Sequence, residues 1–137
     1  ASLFTAATES GALLSRASKN LVVSLKDYGY NLGMAFQIVD DIHDFAGDLS
    51  RGILNLPALL VLDGPEGDGI RRAMGQDRGK GLRLIKDGVE GSDVREECRR
   101  IARDFTQRAC SALERMPHNS GRESLIGLAH YLTERPG

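Results

Sequence analysis

One long helical run that ends in three carboxylates restricts this chain more than any other feature. From Ser18, a candidate N-cap, the apolar residues Leu21, Val22, Leu25, Leu32, Phe36 and Val39 recur at helical spacing as far as Asp44. That span is well beyond the ~10–14 residues of an average globular helix. A rod so long and so apolar needs neighbours on several sides, which places it at the centre of a helical bundle. It then closes on Phe36-Gln37-Ile38-Val39-Asp40-Asp41-Ile42-His43-Asp44-Phe45, where an apolar stripe gives way to Asp40, Asp41 and Asp44. At about 100° per residue, Asp44, Gln37 and Gly33 fall within about 60° of Asp40 on one side, Phe36 lies about 40° to the other, and Asp41 about 100° round. The carboxylates therefore prolong the interior-facing stripe instead of opposing it. His43, near 300°, points outside that arc and receives no role.

The rest of the chain reads as helix too. Leu3, Phe4, Leu13 and Leu14 predict an opening helix over 2–16, and its many alanines favour close packing. After Gly47 the pattern loosens through 48–52 and resumes from Ile53 to Leu62, with Pro57 in a first turn where its missing N–H does little harm. Loops are expected at 62–69 and 75–81, with short helices between them. A long amphipathic helix starts at Ser92, carries Val94, Cys98, Ile101, Phe105, Ala109 and Leu113, and stops before Pro117. A last helix covers 121–133. Without an alternating strand pattern or an internal repeat, the fold class is all-α and residues 1–137 form a single domain. Gly29 and Gly33, four residues apart inside the long helix, each cost roughly 0.5–1 kcal/mol of helix propensity. Close packing of a neighbouring helix and clearance for a bound chain both account for them.

Composition removes several function classes. With 18 Lys and Arg against 19 Asp and Glu among 137 residues, and no dense basic run, the chain lacks the footprint of a nucleic-acid binder or a polybasic membrane anchor. Its apolar stretches are too short for stable membrane insertion, and no signal-peptide pattern is visible. Cys98 and Cys110 are 12 residues apart on one expected helix, too far to bridge, so both read as reduced thiols of a cytoplasmic chain.

Two adjacent carboxylates with a third one turn on repel each other, and burying any of them unpaired costs several kcal/mol. A hard divalent cation with oxygen ligands removes both penalties. Mg2+ suits the arrangement because it keeps several waters and shares its other positions between a few carboxylates and phosphate oxygens. Taken alone, an Asp-Asp-x-x-Asp triplet is also what a solvated helix end looks like.

Its neighbours add a resemblance. Residues 29–45, with Gly33-x-x-Phe36-Gln37-x-x-Asp40-Asp41-x-x-Asp44, resemble the second aspartate-rich region of the trans-polyprenyl diphosphate synthases. Leu56-Pro57-Ala58-Leu59-Leu60 resembles that family's Leu-Pro-hydrophobic helix, and the opening residues resemble the helix that follows its Lys-Thr pair. The resemblance implies the C-terminal portion of an isoprenoid-synthase-type helical bundle. It also implies Mg2+-dependent head-to-tail (1′-4) condensation of isopentenyl diphosphate with an allylic diphosphate. By the same resemblance Asp40, Asp41 and Asp44 are the metal-binding and catalytic residues, Phe36 and Gln37 border the substrates, and the protein is a homodimer.

Three departures limit the likeness. The family's first aspartate motif, and the basic residues before it, have no match here. Its Lys-Thr pair falls just before Ala1. Its lysine-containing segment after the second motif is replaced by Gly47-Asp48-Leu49-Ser50-Arg51-Gly52-Ile53, with Ile53 where a lysine is expected. The expectation is therefore the C-terminal part of a larger synthase domain, with a loop missing near 47–52. The alternative is a degenerate, non-catalytic relative that pairs with an active synthase. A class I terpene cyclase fits less well, because those enzymes place an Asn-x-x-x-Ser-x-x-x-Glu-like pattern where Asp40–Asp44 stands.

Overall fold

The computed structural model describes residues 1–135, and among these there is no strand. Eight α-helices follow in chain order: α1 (Ser2–Leu14), α2 (Lys19–His43), α3 (Phe45–Ser50), α4 (Leu56–Asp63), α5 (Gly67–Gln76), α6 (Arg78–Glu90), α7 (Val94–Ala112) and α8 (Ser120–Thr133), with a single 3-10 turn at Leu113–Arg115. The all-α expectation holds. Helix boundaries follow local chemistry where a cap was legible: Leu21 N–H donates to Ser18 Oγ at 3.3 Å at the start of α2. Pro57 lies in the first turn of α4.

Two segments differ from the sequence expectation. Part of the stretch expected to be loose, 48–52, is helical as far as Ser50, because Asp44 N–H still donates to Asp40 O and Asp48 N–H donates in turn to Asp44 O, both at 2.8 Å. The helical path thus passes through Asp44 into α3. The loop expected at 75–81 shrinks to one residue, Asp77, whose carboxylate accepts the Lys80 N–H and starts α6 at once.

The chain forms two compact units: residues 1–37 with 101–137, and residues 38–100. In the first unit Tyr28, Leu32, Ala109, Leu113 and Ala129 make the buried core, bordered by Leu25, Leu125 and Leu132. Tyr28 is 1% exposed and its hydroxyl donates to Leu125 O at 2.7 Å, so the one polar atom of a large buried ring is satisfied. Gly29 is the close-approach point of α1: a Cβ there would stand 2.2 Å from Thr8 Oγ1 and 2.6 Å from Phe4 O. At Gly33 the corresponding atom is Ala1 Cα, at 2.5 Å. Helix packing thus accounts for both glycines.

In the second unit Phe45, Leu49, Ala58, Val61, Leu62, Ile70, Ile85 and Val89 form the core, drawn from α3, α4, α5 and α6. Arg95 lays its guanidinium over the Phe45 ring at 5.7 Å. The turn between α3 and α4 relies on Gly52, whose φ of +75° is open to glycine at no steric cost. No helix among the described residues is long and apolar enough to cross a membrane.

Candidate functional site

The three carboxylates lie in the second unit, at the end of α2. Asp40 and Asp41 occupy the last turn of that helix. Both are half-buried, whereas Asp44 is exposed and stands at the junction with α3. Two adjacent carboxylates, each half-buried, repel one another there.

Asp41 meets part of this opposition with the protein itself. Its Oδ2 accepts the Leu56 N–H at 3.1 Å, and Leu56 is the first residue of α4. The carboxylate of one helix thereby caps the positive end of another, a role that Asn55, the residue before α4, leaves open because its own side chain makes no cap bond. Asn55 acts elsewhere. Its Nδ2 donates to Asp41 O and to Asp48 Oδ2, each at 3.1 Å, and Asp48 also takes Arg51 Nη2 at 2.6 Å. Hydrogen bonds from Arg51 first, and then from Asn55, hold the Asp48 carboxyl below its ordinary range. Asp48, Arg51 and Asn55 thus tie α2, α3 and α4 together around the carboxylates. Sequence reasoning passed over these three; the signal available was only that polar residues cluster just after the motif.

The residues offer a divalent cation an all-oxygen donor set, the chemistry Mg2+ and Ca2+ prefer. Asn55 adds an observation of its own: it is 7% exposed, and its Oδ1 is buried with no hydrogen-bond donor. An orphaned acceptor beside Asp41 fits a hydrated cation, whose waters donate. Among the described residues no three His, Cys, Asp or Glu side chains converge to enclose an ion by themselves. The arrangement therefore suits a cation bound through one or two carboxylates, the usual habit of Mg2+, and not a closed protein cage.

Phe36 and Gln37 belong to the first unit. Phe36 is half-buried, its ring 5.3 Å from that of Phe4 at a 47° tilt, with the Arg135 guanidinium 5.3 Å from its centroid. Gln37 is exposed, one turn before the carboxylates on the same helix.

Comparison with known proteins places this geometry in context. Residues 1–52 match the sequence model of the polyprenyl synthetase family. A prenyl transferase of Cyanophora paradoxa is 33% identical across 98% of this chain and 45% of its own length. That alignment runs over 148 positions, more than the 137 residues here, so the relative carries residues with no counterpart in this chain. A crystal structure of a polyprenyl synthase from Caulobacter crescentus, in complex with calcium and isoprenyl diphosphate, superposes with a TM-score of 0.82 at 31% identity, over 98% of this chain and 46% of that one. The polyprenyl synthase of Roseobacter denitrificans gives a TM-score of 0.85 at 30% identity, over 98% and 48%. The chain thus spans just under half the length of these three proteins.

Proposed function

From the premise that this chain is a relative of the polyprenyl synthetase family, we propose that it supplies the second aspartate-rich half of a prenyltransferase active site. The reaction is the head-to-tail condensation of isopentenyl diphosphate with an allylic diphosphate, and the assembled enzyme is a homodimer. The observation that carries the reading is that the Gly33-x-x-Phe36-Gln37-x-x-Asp40-Asp41-x-x-Asp44 pattern runs to the end of α2, with Asp40 and Asp41 half-buried side by side. Two adjacent half-buried carboxylates are the kind of site that a divalent cation stabilises.

Asp40 is the leading ligand, as the first carboxylate of the matched pattern. Asp41 divides its oxygens between the α4 cap and the cation's side. Asp44, exposed and one turn on, reaches the same ion through water. Mg2+ bound there would neutralise the diphosphate oxygens as the allylic C–O bond breaks. The protein's share is to hold the carboxylates in place: α4 pins Asp41, and the Asp48–Asn55–Arg51 network pins the turn behind it. By the resemblance, Phe36 and Gln37 would border the isopentenyl and allylic groups.

A second reading rests on Ile53, which stands where the resemblance expects a lysine, in a connection held by short-range hydrogen bonds. In it the chain pairs with an active synthase and contributes structure. One assay separates the two. The full-length protein is incubated with Mg2+, isopentenyl diphosphate and an allylic primer, alone and with the remaining part of a synthase added. Asp40→Ala is expected to lower product formation by on the order of 10³-fold. Turnover that is the same in the variant and the parent refutes the role given to Asp40.

A further inference from the structure

The first unit holds a second constellation of reactive side chains, on α7 and α8. Cys110 Sγ lies 4.0 Å from His130 Nε2, and His130 Nδ1 lies 3.0 Å from Glu134 Oε1. With Nδ1–H donating to the carboxylate, Nε2 presents its lone pair to the thiol. This is the order of parts found wherever a side-chain nucleophile is activated: nucleophile, base, and a third group that orients the base. The Glu134 backbone is placed by its N–H, which donates to His130 O at 2.9 Å at the end of α8.

The three groups open onto a cavity of about 330 Å³, lined also by Arg103, Thr106 and Thr133. Both threonine hydroxyls already donate to backbone carbonyls, Thr106 to Ala102 at 3.0 Å and Thr133 to Ala129 at 2.8 Å. The walls therefore suit a small, largely apolar guest. Burial pushes the Cys110 thiol above its ordinary range, so the resting sulfur keeps its proton and the nucleophile forms when that proton passes to the imidazole.

We propose that Cys110, His130 and Glu134 form a covalent modification site for small α,β-unsaturated carbonyl compounds. Conjugate addition is a thiol reaction that these groups complete with no oxidant and no leaving group. Sγ–H gives its proton to His130 Nε2 and the thiolate forms an S–C bond at the β-carbon. The C=C π pair moves to the α-carbon, which takes the proton back from the imidazolium. Atoms and electrons balance within the adduct. Cys98 supplies an internal control: it is fully buried, and desolvation, with the Asp41 carboxylate second, pushes its thiol up to about 11.

N-ethylmaleimide is the probe, with adducts at the two cysteines timed by peptide mass spectrometry on the full-length protein near neutral pH. Cys110 is expected to react at least about tenfold faster than Cys98. His130→Ala is expected to slow Cys110 by about tenfold, a modest share of what a positioned base contributes, and Glu134→Gln by less. Both substituted residues are exposed, so the fold tolerates the changes. Free imidazole added to the His130→Ala protein is expected to restore the rate, which a merely structural role of His130 would not allow. Equal labelling of the two cysteines, an unchanged Cys110 rate in His130→Ala, or failure of imidazole to restore it each overturns the proposal.

Discussion

Replacing Asp41 tests whether one carboxylate serves two purposes, and the structure sets the size of the effect. The Leu56 N–H is one of the orphan donors at the start of α4, and its partner is Asp41 Oδ2 at 3.1 Å. The next residue, Pro57, has no N–H, and Asn55 provides no side-chain cap, so nothing local replaces the lost acceptor. Asp41→Ala leaves a partly buried N–H unpaired and removes an interhelical cap, which costs about 1–2 kcal/mol. Asp41→Asn keeps an oxygen at the same reach and loses only the charge, for about 0.5 kcal/mol. The gap between the variants, about 1 kcal/mol, corresponds to a few degrees in Tm for a chain of this size. Urea unfolding followed by circular dichroism reads it directly. Should Asp41→Ala unfold at the same urea concentration as the parent, the capping argument is refuted. Activity then distinguishes the other purpose, because Asp41→Asn retains the cap while lowering the negative charge offered to a cation.

Two other outcomes follow from the same coordinates. Gly29→Ala places a Cβ 2.6 Å from Phe4 O, so α1 must shift, and the protein loses about 1–3 kcal/mol despite the better helix former; Gly11→Ala, with open space around the new atom, gains about 0.5–1 kcal/mol in the same thermal scan. The depressed Asp48 carboxyl contributes stability above the ordinary carboxylate range and loses it as pH falls through its lower folded value, because the unfolded chain takes up that proton first. Urea midpoints taken near neutrality and below about pH 4 are expected to fall less in Asp48→Asn than in the parent.

How much of this was legible depended on the range of the interaction. Helix α2 and its carboxylate end could be read from sequence because helical hydrogen bonds join residues four apart and the apolar stripe records which face is covered. Caps acting within a few residues, Ser18 and the prolyl first turn of α4, were legible for the same reason. The helical turn at 48–50 was missed: Asp48 and Ser50 favour turns as readily as helix starts, and α3 holds because Phe45 and Leu49 bury against α4, α5 and α6.

The sequence by itself determined the helical class, the long helix α2 and the run of Phe36, Gln37, Asp40, Asp41 and Asp44 along it or just past its end, since all of these follow from the 3.6-residue repeat. Tertiary structure decided that Gly29 and Gly33 admit α1, that Asp41 caps a helix fifteen residues on, and that Cys110 meets His130 across twenty. Those pairings depend on which faces pack together. A local pattern carries no record of that choice, because the energy that selects it comes from burying residues distant in the chain.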